Sequence, residues 1–165
     1  MYYEKVFREL QKEKVRYAVA GGVALVLHGV VRFTADLDLI VDLERENLGR
    51  FIAIMKELGY QPRNPVKAEE LLVPESRAQW KRERNMEVFS FLNQTEPMAL
   101  IDVFIEENIP FKDIMQDMLV VTAKDIMIPV VSLSHLKKLK KTAGRPQDLA
   151  DIEALEALEK TGGQR

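Results

Sequence analysis

The chain is 165 residues long, enough for one hydrophobic core and too short for two ordinary domains. With 47% hydrophobic and 30% charged residues it has the composition of a globular domain, and its net charge of −2 gives no global attraction to nucleic acid. It has no cysteine and only two histidines, His28 and His135, which excludes disulfides and thiolate metal sites and argues against structural zinc.

The N-terminal MYYEKVFREL is charged from Glu4 onward and carries no long apolar segment. Neither a signal peptide nor a membrane span is expected there, and a cytoplasmic location follows by default. Tyr3, Val6, Phe7 and Leu10 recur at helical spacing and predict an amphipathic helix over residues 2–12, packed beneath the first strand.

The next stretch, YAVAGGVALVLHGVVRFTADLDLIVD from Tyr17 to Asp42, is the most informative. It reads as a buried strand (Tyr17 to Ala20), a Gly21-Gly22 turn, a small helix (Val23 to His28), a connection, and a second strand carrying Asp36 and Asp38. On a strand, carboxylates at i and i+2 project from the same face about 7 Å apart along the chain. Leu37, Leu39 and Val41 take the other parity, as a strand packed on one side requires. Aspartates in so apolar a run ask for a cation. The plain alternative begins the strand at Leu37, leaves Asp36 in a turn, and pairs Asp38 with a nearby Arg or Lys.

Gly21-Gly22 lies between a strand and a helix, where missing Cβ atoms let backbone N–H groups approach an anion. The two carboxylates that follow on the neighbouring strand can hold Mg²⁺ beside phosphates bound at that turn. His28 reads as a packed or capping histidine, with no second ligand at suitable spacing. Arg32 and Thr34 either touch phosphate or brace the turn.

Downstream, Leu48, Phe51, Ile52, Met55 and Leu58 define a helix from Glu44 to Leu58, stopped by Gly59. From Gln61 the pattern is broken by Pro62, Pro65 and Pro74, and then Arg77, Lys81, Arg82 and Arg84 gather around Trp80. That segment is either an acceptor-binding patch or, as Glu75 and Glu83 favour, a solvated charged helix whose Trp covers the core edge. Met86 to Leu92 and Leu100 to Ile105 read as a hairpin around Asn93 to Pro97, which places Asp102 on a strand. Alone, Asp102 is a half-exposed strand residue. Beside Asp36, Asp38 and the glycine turn, it completes the acidic set that two-metal phosphoryl or nucleotidyl transfer requires.

A short helix (Phe111 to Met118), two extended segments (Leu119 to Thr122, Ile126 to Val130) and a Ser-capped helix (Ser132 to Thr142) with Leu133, Leu136 and Leu139 inward follow. Lys137 and Lys138 form a solvated face. Gly144 ends this helix, Pro146 suits the first turn of the last one (Gln147 to Glu159), and TGGQR is a frayed end. Asp148 lies where a negative charge favours the helix N-terminus, free to cap it and pair with Arg145. With no repeat or linker, the chain divides into a core (16–130) and a C-terminal helical segment (131–160) of one domain.

Together these pieces resemble the minimal nucleotidyltransferases of the DNA polymerase β superfamily, most closely the AbiEii-type branch of bacterial toxin–antitoxin and abortive-infection systems. The resemblance rests on Gly21-Gly22 followed by Ala24, on Arg32-Phe33-Thr34-Ala35-Asp36-Leu37-Asp38, on Asp102 in its own strand, and on Lys140 with KTAGRPQDLAD after it. It spans residues 17 to 151 and implies an α/β (α+β) fold, a small mixed sheet flanked by helices. It also implies two Mg²⁺ ions held by Asp36, Asp38 and Asp102, with Asp102 as base for the attacking hydroxyl. A nucleoside triphosphate would be held by Gly21, Gly22, Arg32, Lys140, Arg145 and Asp148.

The implied reaction moves a nucleoside monophosphate to a hydroxyl of an RNA end, a protein or a small molecule and releases pyrophosphate, in a toxin-like component. One departure is that many superfamily members carry Gly-Ser at the turn, whereas both positions here are Gly. The brevity of the chain points to a homodimer or a partner protein that completes the cleft. The rival readings are a non-catalytic nucleotide-binding or antitoxin-like interaction module on the same fold, and a Mg²⁺-dependent phosphohydrolase.

Overall fold

A computed structural model describes residues 3–162. The helix start expected at Tyr2 and the frayed tail beyond Gly162 lie outside the described residues. In chain order the elements are α1 (Glu4–Lys12), β1 (Tyr17–Ala20), α2 (Gly21–Leu27), β2 (Leu37–Val41), α3 (Arg45–Glu57) and β3 (Tyr60–Pro62). A 3-10 turn (Ala68–Leu72), α4 (Pro74–Arg84), β4 (Val88–Asn93), β5 (Leu100–Phe104), α5 (Phe111–Asp117), β6 (Leu119–Ala123), β7 (Ile126–Val130), α6 (Leu133–Ala143) and α7 (Pro146–Lys160) follow.

The strands form one mixed sheet in the order β3-β4-β5-β2-β1-β7-β6. β2 pairs parallel with β5 and β1 parallel with β7, while the remaining neighbours are antiparallel. All four residues of β1 are buried, as a strand covered on both faces demands. β2 is likewise buried except at Asp38, the one break in its apolar run. The core gathers Phe7 and Leu10 of α1, Leu48, Phe51 and Met55 of α3, and Leu37, Leu39 and Ile101 of the sheet, all almost fully excluded from water.

Helix ends follow local chemistry. The Glu44 side chain accepts from the N–H groups of Glu46 and Asn47 and so caps α3, and Ser132 Oγ accepts from His135 N to cap α6. α6 ends at Gly144 in a left-handed conformation (φ 63°), which turns the chain into α7. His28 is the C-cap of α2, buried, with Nε2 2.8 Å from the Val131 carbonyl, a packed histidine as expected.

Three local expectations are corrected. The glycines do not form a turn ahead of α2. Its first residue is Gly21. Asp36 lies outside the strand, which begins at Leu37, and the hydrogen bond to the Asp38 carboxyl comes from the Gly22 N–H. The edge strand β3 was hidden by Pro62, which an edge position tolerates because its missing N–H takes nothing from the ladder. The charged segment is a helix, and its Trp80 is buried with its ring centroid 5.4 Å from that of Phe89, so this residue belongs to the core edge.

Among the described residues, no helix is long and apolar enough to cross a membrane.

Asn47 shows how the connection after β2 is locked. Its side chain is fully buried, Oδ1 accepts from Arg16 N at 2.8 Å, and Nδ2 donates to the carbonyls of Arg16 (3.1 Å) and Asp42 (2.8 Å). Asn47→Leu keeps the volume and strands these backbone groups, so a loss of about 2–4 kcal/mol in denaturant unfolding is expected. A loss below about 0.5 kcal/mol, the range of an ordinary surface substitution, would show that water replaces all three bonds.

Candidate active site

Strand pairing sets the acidic residues side by side. In the β2–β5 ladder Asp38 is directly opposite Asp102, and in the β1–β2 ladder Ala20 is opposite Asp38. Strands lie about 4.8 Å apart, so the two carboxylates share a row on one sheet face. Asp36, exposed just before β2, joins them from the connection.

The glycines make this row fit. Gly21 adopts φ +61°, which glycine takes at little cost, and a Cβ there would overlap Asp38 Oδ2. A Cβ on Gly22 would lie 2.6 Å from Thr34 Oγ1. The Gly22 N–H donates to the Asp38 carboxylate. The first anion served by the start of α2 is therefore the protein's own Asp38, while Thr34 packs against Gly22.

Burial pushes the Asp38 carboxyl up to about 7, the charges of Asp102 and Asp36 add to the rise, and Lys140 and the Gly22 N–H oppose it. Asp102 is also raised, first by burial and then by Asp36, against the hydrogen bond from Ser90 and the charge of Arg63. Ser90 Oγ donates to Asp102 Oδ1 at 2.5 Å. In both carboxyls burial outweighs the positive charge and hydrogen bonds that oppose the rise.

The cations stand on the C-terminal helices. Lys140 of α6, buried, donates to Asp151 Oδ2 at 2.9 Å and reaches Asp148 Oδ1 at 3.4 Å. Arg32 Nη1 meets the same Asp151 oxygen at 2.5 Å, tying the connection before β2 to α7. Arg145 donates to Asp148 through its backbone N–H (3.1 Å) and Nε (2.7 Å). Burial works to raise the Asp148 carboxyl, but the hydrogen bonds from Arg145 and the charge of Lys140 outweigh it and hold it below the usual carboxylate range. Asp148 thus does cap α7 and pair with Arg145, and in the same place it faces Lys140.

One cleft of about 520 Å³ is lined by all nine residues singled out from the sequence: Gly21, Gly22, Arg32, Asp36, Asp38, Asp102, Lys140, Arg145 and Asp148. Lys81, which the sequence places in a segment read as an acceptor-binding patch or a solvated helix, lines the cleft and pairs with Glu106 at 3.5 Å. Sequence reasoning missed two contributors. Asp151 carried a signal, since Asp148 and Asp151 share a helix face at i, i+3. Ser90 could be found only once the β4–β5 register set it opposite Asp102.

Among the described residues, no three His, Cys, Asp or Glu side chains stand at the spacing of a protein-only metal cage. Mg²⁺ does not require one: it is commonly held by one or two carboxylates, with waters and substrate phosphates completing its shell. Two facing oxygen ligands deprived of countercharge, with a third at the rim, fit that mode.

The raised Asp38 carboxyl fixes the sign of a pH effect. Between the ordinary carboxylate range and about 7 the folded chain holds a proton that the unfolded chain has lost, so stability falls as pH rises through this window. Asp38→Asn should flatten this slope and stabilise the protein at pH 8 by about 2–4 kcal/mol, allowing for water in the open cleft. Thermal melts of both proteins between pH 4.5 and 8, without divalent cations, check this, and parallel curves would refute it. Gly21→Ala should displace Asp38 and cost about 1–3 kcal/mol in the same melts.

No family model matches the sequence, and no curated protein matches it. Solved structures do. The antibiotic-resistance factor ANT(2")-Ia, in complex with adenylyl-2"-tobramycin, superposes with a TM-score of 0.59 at 15% identity, covering 93% of this chain and 85% of that one. The lincosamide antibiotic adenylyltransferase LnuA, lincomycin-bound, gives 0.58 at 17% identity over 94% and 96% of the two chains. A candidate nucleotidyltransferase of Thermotoga maritima gives 0.57 at 18% identity over 99% and 92%. The seven-stranded mixed sheet with its flanking helices is the nucleotidyltransferase fold.

Proposed function

We propose that the protein is a Mg²⁺-dependent nucleotidyltransferase that moves a nucleoside monophosphate from a nucleoside triphosphate to a hydroxyl and releases pyrophosphate. The observation that carries this is the facing pair Asp38 and Asp102 on the floor of a cleft whose other wall bears Lys140 and Arg145.

Asp36 and Asp38, with Asp102, would hold Mg²⁺, which when bound supplies charge neutralisation and orientation of the phosphates. Lys140, Arg32 and Arg145 then bind the triphosphate and stabilise the charge that grows on the leaving pyrophosphate. Asp102, its proton affinity raised by burial, accepts the hydroxyl proton of the acceptor. The acceptor oxygen forms a bond to the α-phosphorus, the bond from that phosphorus to the α–β bridging oxygen breaks, and the electron pair leaves with pyrophosphate.

The order of motifs supports membership of the AbiEii-type branch and a toxin-like role. The acceptor is a hydroxyl on an RNA end, a protein or a small molecule, and the antibiotic-modifying neighbours make hydroxylated small molecules the first class to screen. A second copy or a partner protein would complete the cleft.

Calorimetric titration with each of the four ribonucleoside triphosphates should show binding that needs Mg²⁺ and disappears in Asp36→Asn/Asp38→Asn. Transfer assays on Asp102→Asn should lose about 10²–10⁴-fold in kcat with the fold intact. Nucleotide binding without pyrophosphate release across an acceptor screen would favour the interaction-module reading. Release of inorganic phosphate would mean a phosphohydrolase.

A further inference from the structure

Across the sheet face at the cleft floor, three residues stand in one row on adjacent strands: Ser90 of β4 opposite Asp102 of β5, and Asp102 opposite Asp38 of β2. The two carboxylates belong to the proposed reaction, whereas Ser90 takes no step in it. Its hydroxyl is half-buried and donates to Asp102 Oδ1 at 2.5 Å. That length is in the range of an O–H···O⁻ bond to an ionised acceptor, about 2.5–2.7 Å. Among the described residues, Ser90 is the one hydrogen-bond donor to the Asp102 side chain.

An aspartate on a strand has two soft side-chain torsions, and the terminal one is broad and roughly two-fold. Nothing in the backbone ladder fixes the angle at which the Asp102 carboxylate is turned to the cleft. A donor fixed on the neighbouring strand does. It engages Oδ1 and leaves Oδ2 for a cation or for the proton of an attacking hydroxyl. Ser90 is itself well placed for this, because β4 is clamped on both sides: its carbonyl accepts from Arg63 N at 2.9 Å, and Phe89 and Phe91, on the opposite parity, are buried in the core. Register and parity together therefore present the hydroxyl to Asp102 and the two rings to the core.

We propose that Ser90 is a positioning residue of the transfer reaction, holding Asp102 in the one orientation in which its free oxygen serves the reacting hydroxyl. This inference rests on the nucleotidyltransferase reading of the cleft. Second-sphere donors of this kind commonly matter by 10- to 100-fold to metal affinity or activity.

The test compares Ser90→Ala and Ser90→Thr with the unaltered protein. Three readouts apply: steady-state transfer, calorimetric titration with Mn²⁺ in place of Mg²⁺ on protein without nucleotide, and thermal melts. Ser90→Ala should lower kcat about 10- to 100-fold with KM for the nucleotide changed less than about two-fold, and should weaken Mn²⁺ binding. Ser90→Thr keeps the hydroxyl and should recover most of both. Ser90→Ala with unchanged kcat and Mn²⁺ affinity would overturn the proposal. Equal losses in both variants, matched by a falling melting temperature, would also overturn it, as a packing effect. If the unaltered protein neither binds Mn²⁺ nor transfers nucleotide, the underlying reading fails, and the proposal with it.

Discussion

Like charge brought together at the centre of one sheet face is the constraint on which the rest of the structure depends. Asp38 and Asp102 face each other on parallel strands, with Asp36 beside them, and burial adds to their mutual repulsion. Such an arrangement is unfavourable, so its cost must be carried by packing elsewhere. The leucines of β2 on the opposite parity, the aromatic group of Phe51, Phe89, Phe91 and Trp80, and the buried face of α3 supply that packing. Gly21 and Gly22 have a related purpose. Their lack of side chains lets the backbone close over Asp38, and an N–H serves a carboxylate that otherwise has no donor.

The cationic wall is built on the opposite plan. The positive groups of this wall are already matched: Lys140 and Arg32 converge on one oxygen of Asp151, and Arg145 and Lys140 share Asp148. Removing one partner from such a buried network commonly costs about 3–5 kcal/mol, because a bare charge is left behind. The network fixes α6, α7 and the connection before β2 in one arrangement beside the cleft. Here the carboxylates of α7 do for the cations what Ser90 does for Asp102: they settle the orientation of groups whose own torsions are free.

Much of this was legible in the sequence, for identifiable reasons. β1 and β2 could be read because buried strands leave an apolar run, and Asp38 stood out as the interruption in it. α3 and α6 could be read from helical spacing, with Gly59 as the stop after α3 and Ser132 as the cap of α6. The acidic trio and the Lys140 to Asp148 segment were visible as residue types in a familiar order. What escaped was whatever depends on register or on close approach. Asp36 fell outside β2 because periodicity does not mark the residue where a ladder begins. Gly22 N–H pointing at Asp38 is a three-dimensional contact between segments that sequence reading had assigned to separate tasks. Ser90 is an ordinary strand residue until β4 is laid against β5. Asp151 passed unnoticed because an acidic helix surface looks alike whether its carboxylates are solvated or buried.

The two walls also bear on how a nucleotide could enter. A free triphosphate would approach carboxylates on the floor and cations that are paired with Asp148 and Asp151. Its phosphates would have to share Lys140, Arg32 and Arg145 with buried aspartates while lying close to Asp36 and Asp38, and each of those encounters is unfavourable at short range. Accompanied by a divalent cation, the same phosphates reverse both effects: the floor gains its missing countercharge, and the net negative charge competing for the three basic groups is reduced. On the proposed reaction, metal and nucleotide are then expected to bind with mutual reinforcement. That coupling follows from the placement of charge alone, without any movement of the sheet.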